Sequence, residues 1–200
     1  MFKYSISLII LVFFSGCMTG TPTVSEYRIQ THSASLIKTK ARTCKNYSLK
    51  IAQAFSMNDL MRTDMNYGVG EYEQFTFSQS QWATSPNKAI TLAFRNFLNQ
   101  AELFKNVQLS QSRSRNDLLL EISIDDFMQY YTKDELSSFV NTEFSLTLID
   151  IRTSKVIDTR TFRNKVVVKN LDAESGVKAL NIALEKTLLE SSQWLSGVCK

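Results

Sequence analysis

Three stretches in the second half of the chain carry apolar residues at every second position, and each is longer than an ordinary strand. Residues 117–131 place Leu118, Leu120, Ile122 and Ile124 at period two. Residues 139–151 place Val140, Phe144, Leu146 and Leu148 on one side and Glu143, Ser145 and Thr147 on the other. Residues 155–169 carry Val156, Phe162, Val166 and Val168. Arg152, Thr153 and Ser154 form a short turn between the last two. Successive strand residues point to opposite faces. Alternation on this scale therefore predicts a largely antiparallel sheet with one covered face.

The cover is written in two helical patterns. Ile90, Phe94, Phe97, Ala101 and Phe104 recur at helical spacing behind Ser85 and Pro86, an N-cap candidate followed by a residue suited to the first helical position. A second helix is expected over about residues 173–195, with Val177, Leu180, Leu184, Leu188, Ser191 and Leu195 on one face. Asn170 or Asp172 can cap its start, and Gly197 offers a stop. Shorter strands are expected at residues 26–30, 47–53 and 71–77, with a weaker pattern over 60–67 and a turn at Gly68 and Gly70. The fold class is α+β, a two-layer arrangement of a largely antiparallel sheet covered by two amphipathic helices.

The first residues read as an address. Lys3 precedes the apolar run from Ile6 to Phe14, and the small residues Ser15 and Gly16 follow. That is the order of a secretory signal peptide. The run is too short to span a bilayer, which takes about 20 apolar residues. Ser15-Gly16-Cys17 resembles the bacterial lipobox, with Phe14 where Leu is usual. The resemblance implies cleavage before Cys17 and acylation of its thiol and new amino group, giving a lipid anchor of more than one chain. Met18 stands where an Asp tends to retain bacterial lipoproteins at the inner membrane, so the outer membrane is expected, facing the periplasm, with the inner membrane still open. The domain plan is a signal peptide over 1–16, a lipidated cysteine and tether with a short strand over 17–45, and one domain over 46–200.

Export also bears on the other two cysteines. An oxidising compartment makes a disulfide between Cys44 and Cys199 reasonable, closing the domain start onto its last turn. Hydrophobic content of 44% and charged content of 21% are those of a globular domain, and the net charge of +4 is too small to suggest a nucleic-acid partner. The basic cluster Lys38, Lys40, Arg42 and Lys45 reads as a solvated linker, with anionic lipid heads as the alternative.

Catalytic chemistry is hard to assemble from this chain. The single histidine, His32, lies in the tether. Metal-binding, nucleophile-elbow and phosphate-loop motifs are missing, so neither a catalytic set nor a metal or cofactor is expected. Asp125 and Asp126 are neighbours on a strand and should face opposite ways, which reads as a strand end or edge. Aromatic residues are the richer signal. Tyr72, Phe75 and Trp82 precede the first helix, and Tyr130 and Tyr131 stand beside the connection between the first two long strands. They form either an interaction surface for lipid or protein, or part of the core. Trp82, in a polar loop, has the best case for exposure.

The order of elements resembles the ABC-type transport auxiliary lipoprotein family over roughly residues 26–195. The likeness rests on the early Glu26–Ile29 strand, the progression Arg62, Tyr72, Phe75, Trp82 and Pro86, the phrase LNQAELFKNV, and the strand pair ending in LIDIRTSKVIDTRTF. It implies a lipoprotein beside a transporter made of a cytoplasmic ATPase, a permease and an MCE-type periplasmic protein. Such a lipoprotein would help pass phospholipid or another hydrophobic molecule between membranes, and a homo-oligomer would be compatible with it. The alternative is a lipoprotein that assists outer-membrane protein assembly or envelope scaffolding. A periplasmic hydrolase ranks last.

Overall fold

The computed structural model describes residues 23–31 and 44–199. Cys17, His32 and the basic tether residues Lys38, Lys40 and Arg42 lie outside them. In chain order the strands are β1 (Ser25–Tyr27), β2 (Ser48–Ile51), β3 (Phe55–Ser56), β4 (Asp64–Val69) and β5 (Glu73–Trp82), with a 3-10 turn, Asn58–Met61, before β4. Helix α1 (Pro86–Gln100) follows, then β6 (Asn106–Leu109), β7 (Leu118–Tyr131), β8 (Ser138–Asp150), β9 (Lys155–Val167) and helix α2 (Ala173–Val198).

The three long alternating stretches are β7, β8 and β9, and they form an antiparallel meander. Asp150 shapes the second turn by accepting hydrogen bonds from the Thr153 backbone N–H (2.7 Å) and hydroxyl (2.9 Å). The other flank of β7 is built differently. β2, β3 and β4 lie end to end along it, all parallel to it, opposite Leu118–Leu120, Ser123–Ile124 and Gln129–Tyr131. Outside them, β6 pairs with β2 in parallel, β5 with β4 antiparallel, and β1 with β5 in parallel. The sheet is thus mixed, antiparallel in its long strands and parallel at the junctions of the short ones.

Both helices cover one face. In α1, Ile90, Phe94, Phe97 and Leu98 are buried. Its last turn is Gln100, so Ala101 and Phe104 lie beyond the helix, although Phe104 stays in the core. Ser85 does precede Pro86 at the N-cap, but its hydroxyl makes no capping bond. In α2 the carboxylate of Asp172 accepts the Ser175 backbone N–H at 2.7 Å and caps the first turn. Val177, Leu180, Leu184, Leu188, Ser191 and Leu195 are all buried, as the spacing predicts. Gly197 does not end this helix, which continues to Val198. At that end the sulfurs of Cys44 and Cys199 are bonded, 2.08 Å apart.

Two bulges move residues off their expected faces. One lies between Ile124 and Asp126. Before it the even positions Ile122 and Ile124 are buried, and after it the odd positions Phe127, Gln129 and Tyr131 are. The extra residue shifts the phase of the pleat. Asp125 and Asp126 are therefore mid-strand residues at a kink with one open flank, and the bulge turns both towards the β8 face of Ser145 and Asn141 instead of to opposite faces. The second bulge, between Leu148 and Ile149, leaves Val156 exposed, where simple alternation had placed it inside.

Gly68 is another correction. It lies within β4, and only Gly70 turns the chain, at φ 62°. Tyr130, its partner across the ladder, lays its ring over the glycine. A Cβ at Gly68 would sit 2.6 Å from Tyr130 Cδ1. Gly68→Ala should lower stability by about 1–3 kcal/mol through overpacking. Urea unfolding checks this, and an unchanged midpoint would mean that the ring can retreat without loss.

Candidate functional site

The end-to-end strands leave a break. β3 stops pairing with β7 at Ile124 and β4 begins at Gln129. Among the described residues no strand pairs with residues 125–128 on this flank. A cavity of about 400 Å³ opens beside that unpaired stretch. Its apolar wall includes Phe77, Trp82, Phe127, Met65, Val177 and Leu180, and its polar wall carries Asp59, Asp64, Asp125, Asp126 and Glu143.

Four of these carboxylates have plain local partners. Asp59 accepts from Gln74 Nε2 (2.6 Å), and Asp125 from the hydroxyls of Ser123 (2.7 Å) and Ser145 (2.6 Å). Asp64 pairs with Arg62 at 3.0 Å and Glu143 with Arg163 at 2.5 Å. Asp126 differs. Its Oδ2 accepts from Tyr130 Oη (2.9 Å) and Asn141 Nδ2 (2.8 Å), and it takes part in none of the ion pairs among the described residues. Burial raises its pKa above the ordinary aspartate value; the two hydrogen bonds oppose that, and nearby Glu143 adds to it. Burial, then the neighbouring Asp126, also raises the Tyr130 phenol.

A carboxyl whose folded pKa lies above its unfolded one binds more protons when folded, so it costs stability as pH rises through that window. Asp126→Asn should therefore stabilise the protein more at pH 7 than at pH 3, relative to the parent. Chemical denaturation at the two pH values reads this directly, and an equal effect at both would show that the carboxylate is not penalised by burial.

The aromatic candidates divide. Tyr72 is 93% exposed, at the tip of the β4–β5 turn, and Phe75 is half exposed and stacked on Tyr67 at 5.6 Å between ring centroids. Tyr131 is buried and meets Tyr67 edge-on at 5.4 Å. Tyr130 stacks on Phe139 at 5.6 Å, with Lys165 Nζ 3.5 Å from the Phe139 centroid. Trp82 corrects the expectation of exposure: it is only 3% exposed, ends β5, and forms part of the cavity wall 6.1 Å from Phe127. β5 extends five residues past the expected strand and carries Trp82 inward with it. The cavity itself, with Asp59, Asp126 and Glu143 in its wall, was not foreseen. A break between two strands that are far apart in sequence leaves no periodic mark.

Chemically, the cavity suits an uncharged or cationic group with an apolar body. A phosphate would meet Asp59, Asp125 and Asp126, which have no paired cation among the described residues, beside Asp64 and Glu143, which Arg62 and Arg163 already neutralise. Among the described residues no set of three or more His, Cys, Asp or Glu side chains is arranged to hold a metal, and no helix is long and apolar enough to cross a membrane.

A family model described as ABC-type transport auxiliary lipoprotein component matches residues 34–190. Among curated proteins none matches in sequence. Among solved structures, protein XCC0632 from Xanthomonas campestris is similar in fold, with a TM-score of 0.75 and 14% identity over 88% of this chain and 96% of its own. A second, described as an uncharacterized protein, gives a TM-score of 0.66 and 14% identity over 86% of this chain and 98% of its own.

Proposed function

Since the chain belongs to the family of ABC-type transport auxiliary lipoprotein components, we propose that it is the periplasm-facing docking component of an MCE-type transporter. The cargo is a phospholipid or another hydrophobic molecule moving between membranes. Cys17 carries the acyl anchor, and the outer membrane holds it. The chain's part is contact with protein partners, and the lipid travels through them.

The observation that carries this reading is the chemistry of the cavity. At about 400 Å³ it is at the low end of small-ligand sites. Asp59, Asp125 and Asp126, which take part in no ion pair among the described residues, disfavour an anionic headgroup by like-charge repulsion, although water at the open mouth weakens it. A carrier of phospholipid would need the opposite: a long apolar groove with cationic or neutral donors at its mouth. A docking subunit needs neither.

Crosslinking in intact cells followed by affinity purification tests the proposal. The expected result is recovery of an MCE protein together with its permease and ATPase, and a Cys17 peptide whose mass includes acyl chains. Recovery of an outer-membrane β-barrel protein instead, with no ABC component, would replace docking to a transporter by a role in envelope assembly.

A further inference from the structure

The two ends of the sheet both show apolar side chains, but one shows them more fully: Tyr47, Ile151, Val156 and Ile157 at the far end are only about half exposed. At the fuller end β4 and β7 run parallel and finish together at Val69 and Tyr131, β5 and β8 begin there, and β9 ends beside them at Val167. The connections at this end expose Tyr72 (93%), Leu136 (78%), Val167 (77%) and Leu171 (48%). Four large apolar side chains exposed on neighbouring connections and strand ends make an apolar rim at this end, and such exposure marks contact with something.

The direction of the chain says with what. β1 is parallel to β5, with Ser25 opposite Ser80. Followed backwards from Ser25, the chain therefore points towards Glu73 and the greasy turns. Ser80 is seven residues from Glu73, about 23 Å at strand rise. Cys17 is eight residues before Ser25, and eight extended residues reach about 27 Å. An anchor at Cys17 reaches the level of these turns by continuing the way β1 already runs. It reaches the opposite end, where Arg152, Thr153 and Ser154 turn, only by doubling back.

We infer that the turns carrying Tyr72, Leu136, Val167 and Leu171 rest in the boundary between headgroups and acyl chains of the bilayer that holds Cys17. The inference rests on the anchoring part of the proposed function. Apolar side chains at such a boundary bury their area at shallow depth, and tyrosine is at home there. Charge does not drive the contact: Glu71, Glu73, Asp134 and Glu135 outnumber Lys133 and Lys169 around the turns. Adhesion is therefore apolar, and an anionic lipid weakens it. The domain stands with the long strands rising from the membrane, so the disulfide end faces away from the bilayer.

The test uses acylated protein in phosphatidylethanolamine vesicles containing brominated phosphatidylcholine, which quenches tryptophan at the boundary. Leu136→Trp reports on the greasy end and Val156→Trp on the far end; both sites are exposed, and the native Trp82 and Trp194 are buried. Leu136→Trp should be quenched several-fold more than Val156→Trp, and less so when phosphatidylglycerol is added. Equal or reversed quenching, with Cys17 shown by mass to be acylated, overturns the orientation and leaves the anchor standing. An unmodified Cys17 overturns both. A blue-shifted Leu136→Trp spectrum without vesicles would give this end to contact between copies of the chain and overturn the membrane assignment.

Discussion

Phe144→Ala should lower the free energy of unfolding by about 3–5 kcal/mol, the cost of truncating a buried phenylalanine that its surroundings cannot replace. Phe144 sits in the middle of β8 and is fully buried. Its ring centroid is 6.3 Å from that of Phe94 on α1 and 6.2 Å from that of Phe127 on β7. Phe127 in turn lies 6.1 Å from Trp82 on the cavity wall. One side chain therefore joins a helix, the central strand and the candidate site. Because Phe94 and Phe144 touch, Phe94→Ala in the Phe144→Ala background should cost less than Phe94→Ala alone. Denaturant unfolding with all four proteins measures both statements. A loss below about 1 kcal/mol for Phe144→Ala would mean that the core is looser than these contacts describe.

Replacing Cys44 and Cys199 together with alanine should cost about 2–5 kcal/mol. The two cysteines are 155 residues apart, and the chain-entropy account puts the upper limit for such a loop at about 5 kcal/mol. The lower end of the range allows for structure retained by the unfolded chain. Both residues are buried in the core beside the last turn of α2, so reduction also leaves two small side chains in a packed site. Thiol titration of the oxidised, unfolded protein should find neither Cys44 nor Cys199 free. Finding both free, with stability unaffected by a reductant, would remove the crosslink from the account of this fold.

The long elements were legible because their signals are local. Val140, Phe144, Leu146 and Leu148 had to share a face of a strand, and Val177, Leu180, Leu184 and Leu188 a face of a helix, whatever lay beyond them. The bulge at Asp125 and Asp126 was not legible, because a phase shift in the pleat looks in sequence like imperfect alternation. Nor was Trp82: a tryptophan among polar residues suggests exposure until the length of β5 and the approach of its last side chain to Phe127 are known. The end-to-end placement of β2, β3 and β4 was equally hidden, since two- to six-residue strands are chosen by their partner.

The α+β class, the three long strands, the two covering helices with their buried stripes, and the order of elements that marks the family can all be read from the residues alone. Periodicity and local side-chain chemistry suffice for these, because covalent geometry dictates which residues share a face. The packed chain was needed to show that the sheet is mixed, that it breaks beside residues 125–128 to open an acidic cavity, and that Tyr72, Leu136, Val167 and Leu171 lie at one end. Those features come from hydrogen-bond pairings and register between segments far apart in the chain, whose energies depend on where each partner lies and leave no imprint on either segment alone.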